Sequence, residues 1–301
     1  MLNKQLNRAD VEDLLKASLN EIDNSNVGEE NDLGLNKVLD SYRSILAGDT
    51  VDRAMLCQIE KNVDTRVSNN LRIRYHQVLI YKFYLDNYKL IDDQNFPQGV
   101  SDYLKEDFSR IINYAKVGNP KNLTFDNFQF FSYLQKMCFK CFPVSHQNID
   151  VTGFSRNLIF RQTFLNKLNF LRVVLGMGGN YPLFEMHFNP HRSRLFSPEG
   201  WDEVFRLAAQ MLVNHPHMKG VFGASWFFDP SLKEISNELN YIRELIEKIG
   251  GHFFVVGSSE DDMKNAFAFS KERKAAYEEG RYIPTSYMVV IKRDTLIRYY
   301  C

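Results

Sequence analysis

A chain of 301 residues is long enough to bury a sizeable core, and its length favours two domains over one. Its 37 basic and 37 acidic side chains cancel, which argues against a general nucleic-acid-binding field. The 4 cysteines make no disulfide framework at this length, and no apolar run reaches signal-peptide or bilayer-spanning length, so the expected location is the cytoplasm.

The first part reads as helices. "RADVEDLLKASLNEI" puts Val11, Leu14, Leu15 and Leu19 on one face, with Asp10 and Asp13 near the positive end of the helix dipole. "NSNVGEENDLG" is a polar loop, and "LNKVLDSYRSILAG" a helix stopped by Gly48. "RYHQVLIYKFYLDNYKLI" is apolar on most sides, as a central helix is. "SDYLKEDFSRIINYAKVG" is expected to start on Ser101 as N-cap and to stop at Gly118. "NFQFFSYLQKMCFKCF" and "FSRNLIFRQTFLNKLNFLRVVLG" complete the set. Cys138 and Cys141 have no second ligand pair for zinc and end a helical run instead of starting one, so they read as buried structural thiols. No helical-repeat period recurs.

The pattern changes at "GMGGN", which sets an expected boundary between a helical domain, 1–178, and an α/β domain, 179–301. "YPLFEMHF" alternates as a strand does, and "SPEGWDEVFRLAAQMLVNH" is an amphipathic helix capped by Ser197. "MKGVFGASWFF" and "HFFVVGSS" read as strands, and "SLKEISNELNYIRELIEKIGG" and "DDMKNAFAFSKERKAAYEEG" as helices. "TSYMVVIKRDTLIRYY" is a final strand or hairpin. Strands alternating with helices predict an α/β fold with a mixed sheet, some of it parallel.

Two stretches concentrate chemistry. Asp229 ends a strand and Pro230 fixes the chain's exit, the place where open α/β sheets bind ligands. Trp226, Phe227 and Phe228 would then supply an apolar wall and Ser225 a substrate contact, or else Asp229 simply caps the next helix and the aromatics are core. "EMHFNPHRSR" gathers Glu185, His187, His191, Arg192 and Arg194, with Glu185 and His187 on the same strand face. Glu185 or His187 suits a general base, while the arginines and His191 suit an anionic substrate. A shared pocket of Glu185, His187, His191, Arg192 and Asp229 is expected at the domain junction. His187, His191 and Asp229 also allow a metal-dependent hydrolase or oxygenase. Residues 151–200 hold six basic and two acidic side chains, as either an anion site or a solvated helix face would. His215 and His217 are expected to be solvated at a helix end, protonated against its dipole, and His252 to be structural.

From Met218 onwards the order strand, helix, strand, helix, strand resembles the later half of the GNAT superfamily of N-acyltransferases. The local likeness is "SKERKAAYEEGRYIPTSYMVVIKR", a helix ending in tyrosine, then glycine, then a last strand. The resemblance implies an acyl-coenzyme A (or carrier-protein) thioester as cosubstrate, a small-molecule amine or similar nucleophile as acceptor, and Tyr277 as the acid for the leaving thiolate; no metal is expected. It makes "VFGASWFFD" the strand that splays to hold the pantetheine arm, with the strand at Phe254 as the one it parts from. Departures are the absence of glycine from "SLKEISNELNY", where the family has its phosphate loop, and Ser270 where asparagine is usual. A GNAT-shaped binding module without catalysis remains an alternative. "SWFFDPSLKEIS…LNYIRELIEKIGG" is also similar to a family of bacterial proteins without assigned activity.

Overall fold

The structure, a computed structural model, describes residues 7–23, 40, 43, 44, 61, 69–118, 128–154, 163–268 and 270–301. The loop expected at 24–34 and most of the helix expected at 35–48 lie outside these. The chain forms two compact units, Met1–Phe142 and Pro143–Cys301.

In the first unit α1 (Arg8–Asp23), α2 (Asn69–Asn87), α3 (Gln98–Val117) and α4 (Phe128–Met137) are helical. α2 packs against the other three, as its all-round apolar sequence requires. α3 starts three residues before Ser101, with Pro97 in the cap position, and stops as expected at Gly118 with φ +66°. Cys141 is buried and Cys138 partly so, and burial pushes the Cys138 thiol up to about 12.

Strands begin at β1 (Cys141–Val144) and β2 (Gln147–Thr152), well before the change of pattern expected near residue 178. Ser145 and His146 join them, Ser145 at φ +52°. There follow α5 (Phe164–Gly176), β3 (Leu183–Phe188), α6 (Pro198–Asn214), β4 (Gly220–Ser225), α7 (Leu232–Ile235), α8 (Asn240–Ile249), β5 (His252–Gly257), α9 (Glu260–Phe267), α10 (Lys271–Glu278), β6 (Ser286–Lys292) and α11 (Arg293–Tyr300). The expected α/β fold with a mixed sheet is present. Its strand order is β1-β2-β3-β4-β6-β5. β3 and β4 are parallel, and the β2–β3, β4–β6 and β5–β6 pairs antiparallel. The parallel pair needs a long crossover, which α6 supplies. On one sheet face, Leu183, Phe222, Phe254, Met288 and Val290 pack with Phe170 and Val173 of α5.

Several elements differ from expectation for local reasons. The helix expected over 231–249 breaks at Ser236 (φ −148°, ψ 65°), whose hydroxyl accepts a hydrogen bond from Arg273. The helix expected over 261–280 is two helices. Ser259 forms a capping box with Asp262, and Ser270 caps α10 by accepting from the Arg273 N–H. Of the final strand or hairpin, the strand is present as β6, but the chain then continues as the helix α11, which buries Leu296.

Candidate functional site

The ladder between β3 and β4 is short. It pairs Phe184 with Val221, Glu185 with Phe222 and Met186 with Gly223, and then ends. Each strand continues with its other neighbour: Phe188 is opposite Gln147 of β2, and Ser225 opposite Tyr287 of β6. Past Met186 and Gly223 the two strands therefore part.

The local sequence accounts for the parting. After β4 the Ser225 hydroxyl accepts from the Phe227 N–H (3.2 Å) and starts a tight turn over Trp226–Phe228. After β3 the Asn189 side chain donates to Asn148 (3.0 Å) and accepts from the His191 N–H (3.2 Å), which pulls the chain towards β2. Gly223 leaves the gap open. A Cβ there would sit 3.2 Å from Met186 Cβ and 3.3 Å from its Cε.

The gap holds a cavity of about 110 Å³. Met186, His187 and Phe188 line it from β3, and Gly223, Ala224 and Ser225 from β4. Trp201, Phe227 and Phe228 give it an aromatic wall.

Glu185 and His187 share a sheet face, as the strand period requires. Asp150 of β2 stands directly opposite Glu185. The His187 Nε2 lies 3.6 Å from a carboxylate oxygen of each. Two carboxylates opposed across a ladder repel, and a protonated imidazole beside both relieves that repulsion. Asp150 was not singled out from the sequence, because its place beside His187 depends on strand register.

Behind the aromatic wall His146 is fully buried, with its ring 4.8 Å from Trp201 and 5.2 Å from Phe196. Burial pushes its pKa down to about 4, against 6.5 for the free side chain. The folded state thus binds a proton here less readily than the unfolded chain. The His146 contribution to stability is fully present above about pH 6.5 and is lost as pH drops from there towards 4, by on the order of 3 kcal/mol in all. Urea midpoints measured over this range should fall more steeply for the wild type than for His146→Leu. Parallel lines would show that His146 contributes no such term.

Other residues singled out from the sequence lie elsewhere. Asp229 is buried and held as a structural anchor. One carboxylate oxygen accepts from the Ser231 N–H (3.0 Å) and Oγ–H (2.6 Å), and the other from the Thr285 N–H (3.0 Å). Trp226 packs among Leu232, Ala266, Ala276 and Tyr282, with Arg273 over its ring. Tyr277 is 40% exposed on α10, its ring 5.1 Å from Phe267, and does not line the cavity. His191 and Arg194 are exposed and Arg192 is buried, all in the turn Pro190–Leu195 between β3 and α6. Of the five residues expected to share a pocket, His187 alone lines this cavity. Among the described residues no three His, Cys, Asp or Glu side chains meet as metal ligands.

The expected splay partner also changes. β6 separates the strands of Phe222 and Phe254, and the opening lies on the other side of β4, against β3. His215 at the end of α6 differs too. Burial and His217 lower its pKa, and Arg293, not a protonated histidine, donates to the Leu212 carbonyl there. A tyrosine the sequence reading passed over is Tyr241 of α8. Burial, helped by the Glu199 charge, raises it to about 12.

No family model and no curated protein matches the chain. Solved structures do share its fold. A crystal structure of an acyltransferase in complex with decanoyl-CoA aligns with TM-score 0.52 and 12% identity over 96% of this chain and 89% of that one. One with decanoyl-CoA and teicoplanin gives 0.51 and 13% over 96% and 89%. One with CoA and 10C-teicoplanin gives 0.50 and 13% over 97% and 89%. At this identity the likeness is one of fold.

Proposed function

We propose that the protein is a GNAT-type acyltransferase that takes an acyl-coenzyme A in the gap between β3 and β4 and passes the acyl group to an amine of a small molecule. The observation that carries this reading is the parting of the two parallel strands past Met186 and Gly223. Strand edges that leave the ladder offer amides and carbonyls to an extended chain rich in amides, which the pantetheine arm is. The structures with the same fold are acyltransferases in complex with CoA or acyl-CoA.

The helix that follows the splayed strand β3 is α6. Its first turn contains Gly200, where a Cβ would come within 1.8 Å of the Leu195 carbonyl oxygen. This glycine admits the turn before the helix, not a phosphate. Glu199 already occupies the helix start, its carboxyl lowered by its own backbone N–H and Ser197. The phosphates of the ligand are therefore assigned to the arginines of the preceding turn, Arg194 foremost, since Arg192 is buried.

In the reaction the amine nitrogen attacks the thioester carbon. The C–N bond forms, the C–S bond breaks, and the thiolate leaves with the bonding pair. The nitrogen gives up one proton to His187, and the thiolate takes up one from solvent. Backbone N–H groups of β4 beyond Gly223 face the developing oxyanion. Tyr277, which does not line the cavity, has no part in this scheme.

A thermal-shift titration tests the reading. Coenzyme A or an acyl-coenzyme A at a hundredfold excess over its dissociation constant should stabilise the protein by about 2.7 kcal/mol. No shift with coenzyme A or with acyl chains of any length contradicts it.

A further inference from the structure

The described structure places one more acidic side chain beside the proposed base. Asp150 belongs to β2, whose register with β3 sets it across from Glu185. Both carboxylates lie 3.6 Å from the same ring nitrogen of His187. His187 also lines the cavity, with neutral neighbours Gln147, Ala224 and Ser225 around it. Asn148 is its cross-strand partner. Asp150 and Glu185 are two carboxylates within ion-pairing distance of His187.

A single carboxylate beside an imidazole is commonplace on a sheet surface. Two carboxylates directly opposite each other are not, because the pair is destabilising unless a cation stands between. A protonated His187, 3.6 Å from each carboxylate, is such a cation. The side chains are partly withdrawn from water, 26% exposed for Asp150 and 29% for Glu185, so their charges are less screened than those of a free surface pair.

We infer that Asp150 is a positioning residue for His187: with Glu185 it engages Nε2, fixes the ring at the cavity wall, and strengthens the imidazole as a proton acceptor. This rests on the reading of His187 as the base of an acyl transfer. In that step the amine proton moves to the imidazole while the nitrogen lone pair forms the C–N bond. The resulting imidazolium is stabilised by the two carboxylates. It is reset when its proton is lost to solvent, so no oxidant or further reactant is needed.

The test uses the full chain and two readouts. In imidazole NMR titrations of the unliganded protein, with the His187 signal assigned by its loss in His187→Gln, the midpoint should fall by about half a unit or more in Asp150→Asn. In kinetics with an acyl-coenzyme A donor, Asp150→Asn should lower kcat by roughly tenfold or more with KM for the donor nearly unchanged. The acid limb of its pH profile should move to lower pH, because the weakened base loses its proton more readily. Asp150→Glu should restore part of both effects. An identical His187 midpoint in wild type and Asp150→Asn overturns the inference, even if the protein binds acyl-coenzyme A. A shifted midpoint in a protein that binds no acyl-coenzyme A upholds the carboxylate cradle and removes its catalytic role.

Discussion

Gly223→Val should abolish acyl-coenzyme A binding while leaving a folded protein. The glycine has no left-handed backbone conformation to protect, so a side chain is allowed by the backbone and refused by the surroundings. Its Cβ would meet Met186 at 3.2 Å, and the two methyl groups of valine would project into a cavity of only about 110 Å³. Overpacking of this kind costs roughly 1–3 kcal/mol of stability. Loss of binding must be separated from that general weakening. Ile246→Val, in the buried face of α8, should cost about 0.5–1.5 kcal/mol and leave binding intact. Gly223→Val protein that still shows the wild-type ligand-induced thermal shift would place the ligand elsewhere.

The second large effect lies in the helical unit. Asp107 of α3 is buried, with one carboxylate oxygen 2.5 Å from the Lys136 ammonium and the other 3.2 Å from Arg110. Asp107→Asn keeps the shape and removes the charge, leaving two cations without their counter-ion. Breaking a buried pair in this way costs about 3–5 kcal/mol. Lys136→Met should cost less, because Asp107 retains Arg110. The double variant Asp107→Leu with Lys136→Met should recover only the Lys136 share of the loss, since Arg110 is still left without its counter-ion. Urea unfolding followed by circular dichroism checks the order. An Asp107→Asn midpoint equal to the wild type would mean that water reaches and screens these charges.

Much of this architecture was legible in the sequence where one periodicity ran long enough to be unambiguous. The apolar sequence of α2, the Gly118 stop, the Ser197 cap of α6 and the alternation in β3 were read from local pattern alone. β1 and β2 were not: β1 overlaps the end of the run read as helix, and β2 was passed over between two runs read as helices. The break at Ser236 depends on a guanidinium 37 residues further along the chain, which no local signal announces. α11 was taken for a strand because "TLIRYY" fits both a strand and one face of a helix.

The site divides in the same way. Glu185 and His187 were found because they lie two apart on one strand. Asp229 was found as a strand-end carboxylate, but its two oxygens are held by Ser231 and Thr285. Asp150 was missed because only the β2–β3 register brings it to His187. The position of the gap was misjudged by one strand, since β6 is last in sequence yet inserts between β4 and β5. Strand order is a property of the folded sheet, and short-range pattern carries little of it.

The most direct measurement is a crystal structure of the protein with coenzyme A or a non-transferable acyl-coenzyme A analogue. The pantetheine arm should lie between β3 and β4 past Met186 and Gly223, its amides bonded to the strand edges, with the thioester position within reach of His187. Coenzyme A bound elsewhere on the protein, with β3 and β4 unoccupied, would contradict that placement.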